Sequence, residues 1–302
     1  MNQIRKFFIS LINFFTKIIN FLKKKESRIV DINKLQNENN ISKPDREIYC
    51  LIIGCNYENQ SGELYGCQND ASLIVQTLAN YHYNLNGDGV KTKDNLYMKY
   101  LLDRKNFEYP TKKNIIEEIN KLVININKSG YGYLYYAGHG YNTYDKEGDE
   151  DDGMDEVIIP YDHDTNGIIT DDWLYENFVK KLNKNTNVRA IYDCCHSGTI
   201  MDLQYTFANN NFKNNDKKIM SNIIVASGCT DSQQGADIYD SNREASHGAM
   251  TSNFCKVLKD GNINKKVFDV QNETNIKLNK GRFNQNCVIT SSFDPINSYF
   301  FV

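Results

Sequence analysis

The sequence predicts an α/β fold with a mainly parallel central sheet and helices on both faces. Beyond Glu47, β-rich apolar runs alternate with segments whose apolar residues recur at helical spacing, the order that buries a parallel sheet between two helical layers. Several of those runs are almost continuously apolar, as strands covered on both faces are. The chain, at 302 residues with 40% hydrophobic and 24% charged side chains, is long enough to enclose such a sheet. With 35 basic against 38 acidic residues its net charge is -3. That removes the basic excess of a general nucleic-acid binder, so no nucleic-acid partner is expected.

EIYCLIIG (47–54) reads as the first buried strand; NDASLIVQTLANY (69–81) has helical spacing, and NLYMKYLLD (95–103) returns as a strand. Thr111, preceded by Pro110, is an N-cap candidate for the amphipathic run NIIEEINKLVINI (114–126). Its hydroxyl can accept from a backbone N–H that the first turn leaves unsatisfied. YGYLYYAG (131–138) and EVIIPYD (156–162) follow as strand runs. DDWLYENFVKKL (171–182) reads as a helix with acids in its first turn, where the helix dipole favours them. VRAIYDCC (188–195), SNIIVASG (221–228) and NQNCVITSS (284–292) read as further strands, with helices from Ser246 to Leu258 and within 265–279.

Residues 1–25 differ in composition, being basic with no acid before Glu26. On a helix, Ile4, Phe7, Phe8, Leu11, Phe15, Ile18, Ile19 and Leu22 share one face, with Arg5, Lys6, Lys17 and Lys23 opposite. Such a helix, trailed by Lys23, Lys24 and Lys25, suits an anionic membrane surface. A signal peptide or a spanning anchor fits less well because Lys17 interrupts the apolar run; docking on the body or on a partner is the remaining alternative. Residues 26–46 read as a polar linker, leaving 47–302 as the main domain. The eight cysteines are too dispersed for a disulfide scaffold, which points to a reducing compartment. The expected location is the cytoplasm, peripheral on a membrane. No CxxC pair occurs, so no structural zinc is expected.

In open parallel sheets, sites collect at the carboxyl ends of strands. YGYLYYAG runs into His139, and VRAIYDCC ends on Cys194 and Cys195, with Gly140 and Gly198 close behind. To cleave an amide a thiol needs a base and an oxyanion donor, and neighbouring parallel strands can bring a His and a Cys to one rim. The glycines of GHG (138–140) permit close substrate approach and leave the Gly140 N–H to face a developing oxyanion. His196 is the poorer base, since adjacent strand residues point to opposite faces. The same alternation puts one sulfur of Cys194 and Cys195 in the core and the other outside, without saying which.

LIIGCNY, LYGCQNDA, YYAGHG, DGMDEVIIPYD, IITDDWL, IYDCCHSG, VASGCTDSQQGAD and HGAMTSNF occur in that order. Over about 47–293 the chain thereby resembles a metacaspase, one of the caspase-like peptidases. The most specific part is GHG with DCCHSG beyond it and an acidic loop between; the QAC-x-G signature of animal caspases is absent. The resemblance implies a caspase-like (caspase-hemoglobinase) fold in a larger part, 47–204, a linker, 205–220, and a smaller part, 221–302. It implies a calcium-dependent cysteine endopeptidase cutting after Arg or Lys, with Cys195 as nucleophile and His139 as general base or leaving-group acid. The amides of Gly140 and Cys195 would form the oxyanion hole, and Cys194 is left to packing. No residue that orients His139 is identifiable.

Cys67, Asp70 and Asp193 match the family's S1 pocket; two carboxylates around one slot pair with a guanidinium or ammonium and reject Asp. One departure is Ala137, where the family commonly has Ser. The loop DKEGDEDDGMDE (145–156) concentrates acids that repel one another unless solvated or bound to a cation. By the resemblance Asp155, Asp171, Asp172 and Asp202 are calcium ligands, the ion acting as an activator rather than a Lewis acid. YTFANNNFKNNDKKIM (205–220) is polar and Asn-rich, and Lys213, Lys217 and Lys218 make it the expected self-cleavage segment; the stretch from Lys23 to Arg28 is a second. An inactive caspase-like scaffold acting through partner binding is the main alternative, and an Asp-specific protease the other.

Overall fold

The computed structural model describes residues 45–83, 94–145, 148, 153–208, 211–215, 217–230, 233, 235–240, 245–259 and 265–301. The amphipathic segment 1–25 and the linker as far as residue 44 lie outside them. Five parallel strands form the centre: β1 (Arg46–Gly54), β2 (Asp94–Leu102), β3 (Tyr131–Ala137), β7 (Asn187–Asp193) and β10 (Asn222–Ser227). The full order is β2-β1-β3-β7-β10-β13-β8-β9, with β13 (Val288–Ser291) running antiparallel to β10, and β8 (Tyr205–Ala208) and β9 (Asn211–Asn214) at the edge.

Side chains at successive positions of each central strand enter opposite layers. Ile52, Tyr135 and Ala226 join a core with α1 (Cys67–Tyr83), α5 (Ala249–Lys259) and α6 (Val267–Lys280). Their neighbours Ile53, Tyr136 and Val225 join the other core, with α2 (Lys112–Ser129) and α4 (Asp171–Asn177). Thr111 caps α2 as expected, its hydroxyl accepting from Asn114 N at 3.2 Å, and left-handed Gly130 (φ 86°) ends the helix.

Four expectations are corrected. EVIIPYD does not join the central sheet: β5 (Met154–Ile158) lies in a separate three-stranded antiparallel sheet between β4 (Gly140–Tyr144) and β6 (Ile169–Thr170). Pro160, lacking an amide proton, stands just beyond its end. The short helix α3 (His163–Asn166) precedes β6. The segment expected as an exposed linker, 205–220, instead folds into the hairpin β8 (Tyr205–Ala208) and β9 (Asn211–Asn214), which extends the central sheet beyond β13. The helix expected from Ser246 begins at Ala249; Ala245–Gly248 is β12, paired with β11 (Asp237–Asp240). The helix expected over 171–182 stops at Asn177 and gives way to a 3-10 turn, Val179–Lys181.

Candidate active site

β3 and β7 are neighbouring parallel strands whose last paired residues are Ala137 and Asp193. His139 and Cys195 therefore each leave the sheet two residues beyond the same rung. Gly140 lies against the cysteine loop, where a side chain would run into the carbonyl oxygen of Cys195. Ile159 N donates to His139 O, so the ladder bonds of β4 with β5 fall at odd-numbered β4 positions. Gly140 stands opposite Ile158 between them, and its N–H points out of the ladder.

Alternation also separates the two sulfurs. Asp193 sends its carboxylate toward α5, accepting from Thr251 N at 2.8 Å. Cys194, next along, is buried in the opposite core, and burial, with Cys195 beside it, holds its thiol well above the usual range. Cys195 lies past the strand and is half-buried, whereas the other seven cysteines are buried free thiols. Gly235 N donates to the Cys195 sulfur at 3.2 Å. Gln233 O accepts from His196 N at 3.2 Å, fixing the same loop on the cysteine turn.

His139 is held from three sides. Its amide donates to the Tyr57 hydroxyl at 2.9 Å, and its carbonyl accepts from the Tyr136 hydroxyl at 2.8 Å. The Tyr57 ring lies 4.7 Å from the imidazole, centroid to centroid. Nε2 donates to the carbonyl of Gly62 at 2.6 Å. A carbonyl only accepts, so Nε2 carries a proton and Nδ1 is left as the basic nitrogen. Gly62, at φ 82°, stands close enough that an added Cβ would lie 3.2 Å from Nε2. Neither Gly62 nor Gly235 was legible as a site residue, because backbone groups leave no chemical signature in a sequence.

Asp70, in the first turn of α1, is buried. Its carboxylate accepts from His247 Nδ1 at 2.8 Å and from Gly248 N at 2.7 Å. A side chain at Gly248 would meet the carboxylates of both Asp193 and Asp70. The two acids thus flank one glycine although they come from different elements. Tyr135 runs beneath them: burial pushes its hydroxyl far up, with Asp70 and Asp193 adding to it. Cys67 and Ala137 are buried in the same core layer.

Asp155, Asp171 and Asp172 each present an oxygen within 4.8 Å of the others, with Asp155 and Asp171 buried. Burial, and then the nearby charge of Asp202, push Asp171 up to about 7. Asp202 stands outside that trio, paired with Lys217 Nζ at 3.4 Å. Asp171 accepts from Glu156 N at 2.6 Å, and Glu156 accepts from the Thr199 hydroxyl at 2.6 Å. The acids are thereby joined to the turn that follows Cys195. Oxygen-only donors with excess negative charge fit a hard divalent cation such as calcium, and an ammonium already stands on one of the four acids.

Among the described residues, no helix is long and apolar enough to cross a membrane.

The sequence pattern of the family described as Metacaspase, peptidase C14 domain, matches residues 49–204. Metacaspase-1 of Saccharomyces cerevisiae is 39% identical over 160 residues, covering 52% of this chain and 35% of its own. Metacaspase-1A of Neurospora crassa is 40% identical over 159 residues (52% and 33%), and Metacaspase-5 of Trypanosoma brucei brucei 28% over 253 residues (74% and 49%). The chain thus spans about a third to a half of the length of these relatives. A crystal structure of a Geobacter sulfurreducens protein shares the fold, with TM-score 0.59 at 21% identity over 85% of this chain and 99% of that one. Strand ends, buried acids and matched sequence agree: this chain belongs to the metacaspase peptidase C14 family.

Proposed function

We propose that the protein is a calcium-dependent cysteine endopeptidase that cuts peptide bonds after Arg or Lys and processes itself. The observation that carries the reading is the delivery of His139 and Cys195 to one rim by adjacent parallel strands, with Gly140 packed between them. Cys195 adds to the substrate carbonyl as its proton passes to His139 Nδ1, and the negative oxygen of the tetrahedral intermediate is met by the N–H groups of Gly140 and Cys195. The C–N bond breaks as His139 returns the proton to the leaving amine. Water, deprotonated by His139, then hydrolyses the thioester and restores the thiol. The Gly62 carbonyl holds the imidazole in the orientation and tautomer both halves require.

Substrate choice follows from charge. Asp70 and Asp193 converge beside Gly248, where a guanidinium or ammonium is matched and an aspartate repelled. Asp155, Asp171, Asp172 and Asp202 would hold calcium, which would neutralise their mutual repulsion and so favour the turn carrying Asp202 staying beside the helix that carries Asp171 and Asp172. Thr199, through Glu156, ties the nucleophile turn to the same acids. The test is hydrolysis of peptides with P1 Arg, Lys or Asp, in calcium or chelator, beside Cys195→Ala. Cleavage after Arg and Lys only, in calcium only and lost in the variant, supports the reading. A folded protein inert in every condition favours a binding scaffold.

A further inference from the structure

Lys217 was expected as a self-cleavage site, which requires its side chain to leave the surface and enter a specificity pocket. The structure occupies it otherwise. Its Nζ lies 3.4 Å from an Asp202 carboxylate oxygen, the lysine side chain 26% and the aspartate 5% exposed. The same ammonium sits 5.0 Å from the centroid of the Tyr175 ring. Tyr175 belongs to α4, the helix whose first residues are Asp171 and Asp172. One lysine therefore touches both halves of the acidic cluster, the turn bearing Asp202 and the helix bearing two of the other acids.

Its backbone is held in place as well. Asn215 N donates to Gln204 O at 2.8 Å, the Asn215 side chain to Leu203 O at 3.1 Å, and Lys217 N to the Asn215 side chain at 3.1 Å. These contacts close the base of the β8–β9 hairpin beside Asp202 and deliver Lys217 to the cluster. Lys218, one residue on, is exposed, and Lys213 on β9 is exposed too.

We propose that Lys217 is the tethered counter-cation of the carboxylate cluster, and that a divalent cation must displace its ammonium to gain Asp202. The proposal rests on the reading of these four aspartates as a calcium site. Two positive charges compete for one carboxylate, so each weakens the other by the same factor. Metal binding and release of Lys217 are then one event. Without calcium the lysine is engaged and the bond after it is protected; with calcium the side chain is free to be recognised by a protease.

Full-length Cys195→Ala protein, which cannot cut itself, is titrated with calcium by calorimetry, with and without Lys217→Met or Lys217→Gln. Both second changes are expected to tighten calcium binding by about tenfold or more, within the usual range of coupling between linked sites. Independently, trypsin digestion of Cys195→Ala followed by mass spectrometry is expected to cut after Lys217 several-fold faster in calcium than in chelator, relative to Lys213. Unchanged affinity in both lysine variants, or cutting after Lys217 indifferent to calcium, overturns the tether while leaving the calcium site intact. Absence of calcium binding in every variant overturns the calcium reading and the tether with it. The trypsin experiment needs no lysine variant, so it decides even if those proteins fold poorly.

Discussion

His139 Nε2 donates to the carbonyl oxygen of Gly62 at 2.6 Å, so a backbone group eight residues beyond β1 aims the imidazole that β3 delivers. Gly62 has φ 82°, and an added Cβ would stand 3.2 Å from Nε2. Gly62→Ala is therefore strained by its backbone angle and pushes the ring from its position. Its kcat on a P1 Arg peptide should fall about tenfold to a hundredfold with little change in KM, the scale of loss when a reacting group is misplaced. Unchanged kcat in the folded variant would show that the carbonyl does not orient the base.

The two acids beside Gly248 give a second expectation. Asp70→Asn removes the charge and places an amide NH2 where both partners, His247 Nδ1 and Gly248 N, are donors. Stability should fall by about 1–3 kcal/mol, the cost of an unsatisfied buried polar group. For P1 Arg and Lys peptides kcat/KM should fall at least about thirtyfold, equivalent to the lower end of losing a buried charge partner, about 2 kcal/mol. Denaturant unfolding and peptide kinetics on the same sample separate the two effects. A variant that keeps full activity on Arg and Lys would remove Asp70 from the specificity pocket.

Gly140→Ala tests the packing of the rim. Its methyl group would meet the carbonyl oxygen of Cys195 and the side chain of Cys194, and neither the strand end nor the buried thiol can retreat far. The expected loss is about 1–3 kcal/mol of stability, read by thermal unfolding, together with activity. A variant as stable and active as the parent would mean that GHG is not wedged against the cysteine loop.

His82 sets an acid limit to stability. It is buried between Asp94, 2.8 Å from Nδ1, and the Tyr133 hydroxyl, 3.3 Å from Nε2. Burial pulls its pKa below the ordinary 6.5, against the pull of Asp94. The unfolded chain therefore takes up a proton near pH 6.5 that the folded protein refuses, so the His82 contribution to stability is full above that pH and declines as pH falls below it. Asp94 is held low by His82 and Arg46, which outweigh its burial, and its contribution is lost at still lower pH. Asp171, raised to about 7, works the opposite way over the same range, so the His82 contribution is read by urea unfolding at pH 7.5, 6 and 5 as a difference: the parent should lose stability relative to His82→Gln as pH falls. An equal slope in that variant would assign the acid sensitivity elsewhere.

The central strands were legible because burial on both faces demands uninterrupted apolar runs, as in Leu51 to Ile53 and Tyr133 to Ala137. The catalytic candidates were legible because the sheet ends where GHG and DCCHSG begin. The hairpin at 205–214 was not: as two four-residue strands at a sheet edge it has only intermediate burial over Tyr205–Ala208, and Asn-rich composition hides such strands among turns. β12 was absorbed into the following helix because Ala245–Gly248 carries no β-rich signal. Gly62 and Gly235 act through main-chain atoms, and Lys217 through a pairing set by tertiary folding rather than spacing.

The most direct test of the account is covalent capture of the nucleophile. A peptidyl electrophile with P1 Arg, added in calcium, is followed by intact-mass measurement and peptide mapping. One adduct on Cys195, none on the seven buried cysteines, and far slower labelling in His139→Ala is the predicted result. Labelling of another cysteine, or an unlabelled Cys195 in folded, calcium-treated protein, would contradict it.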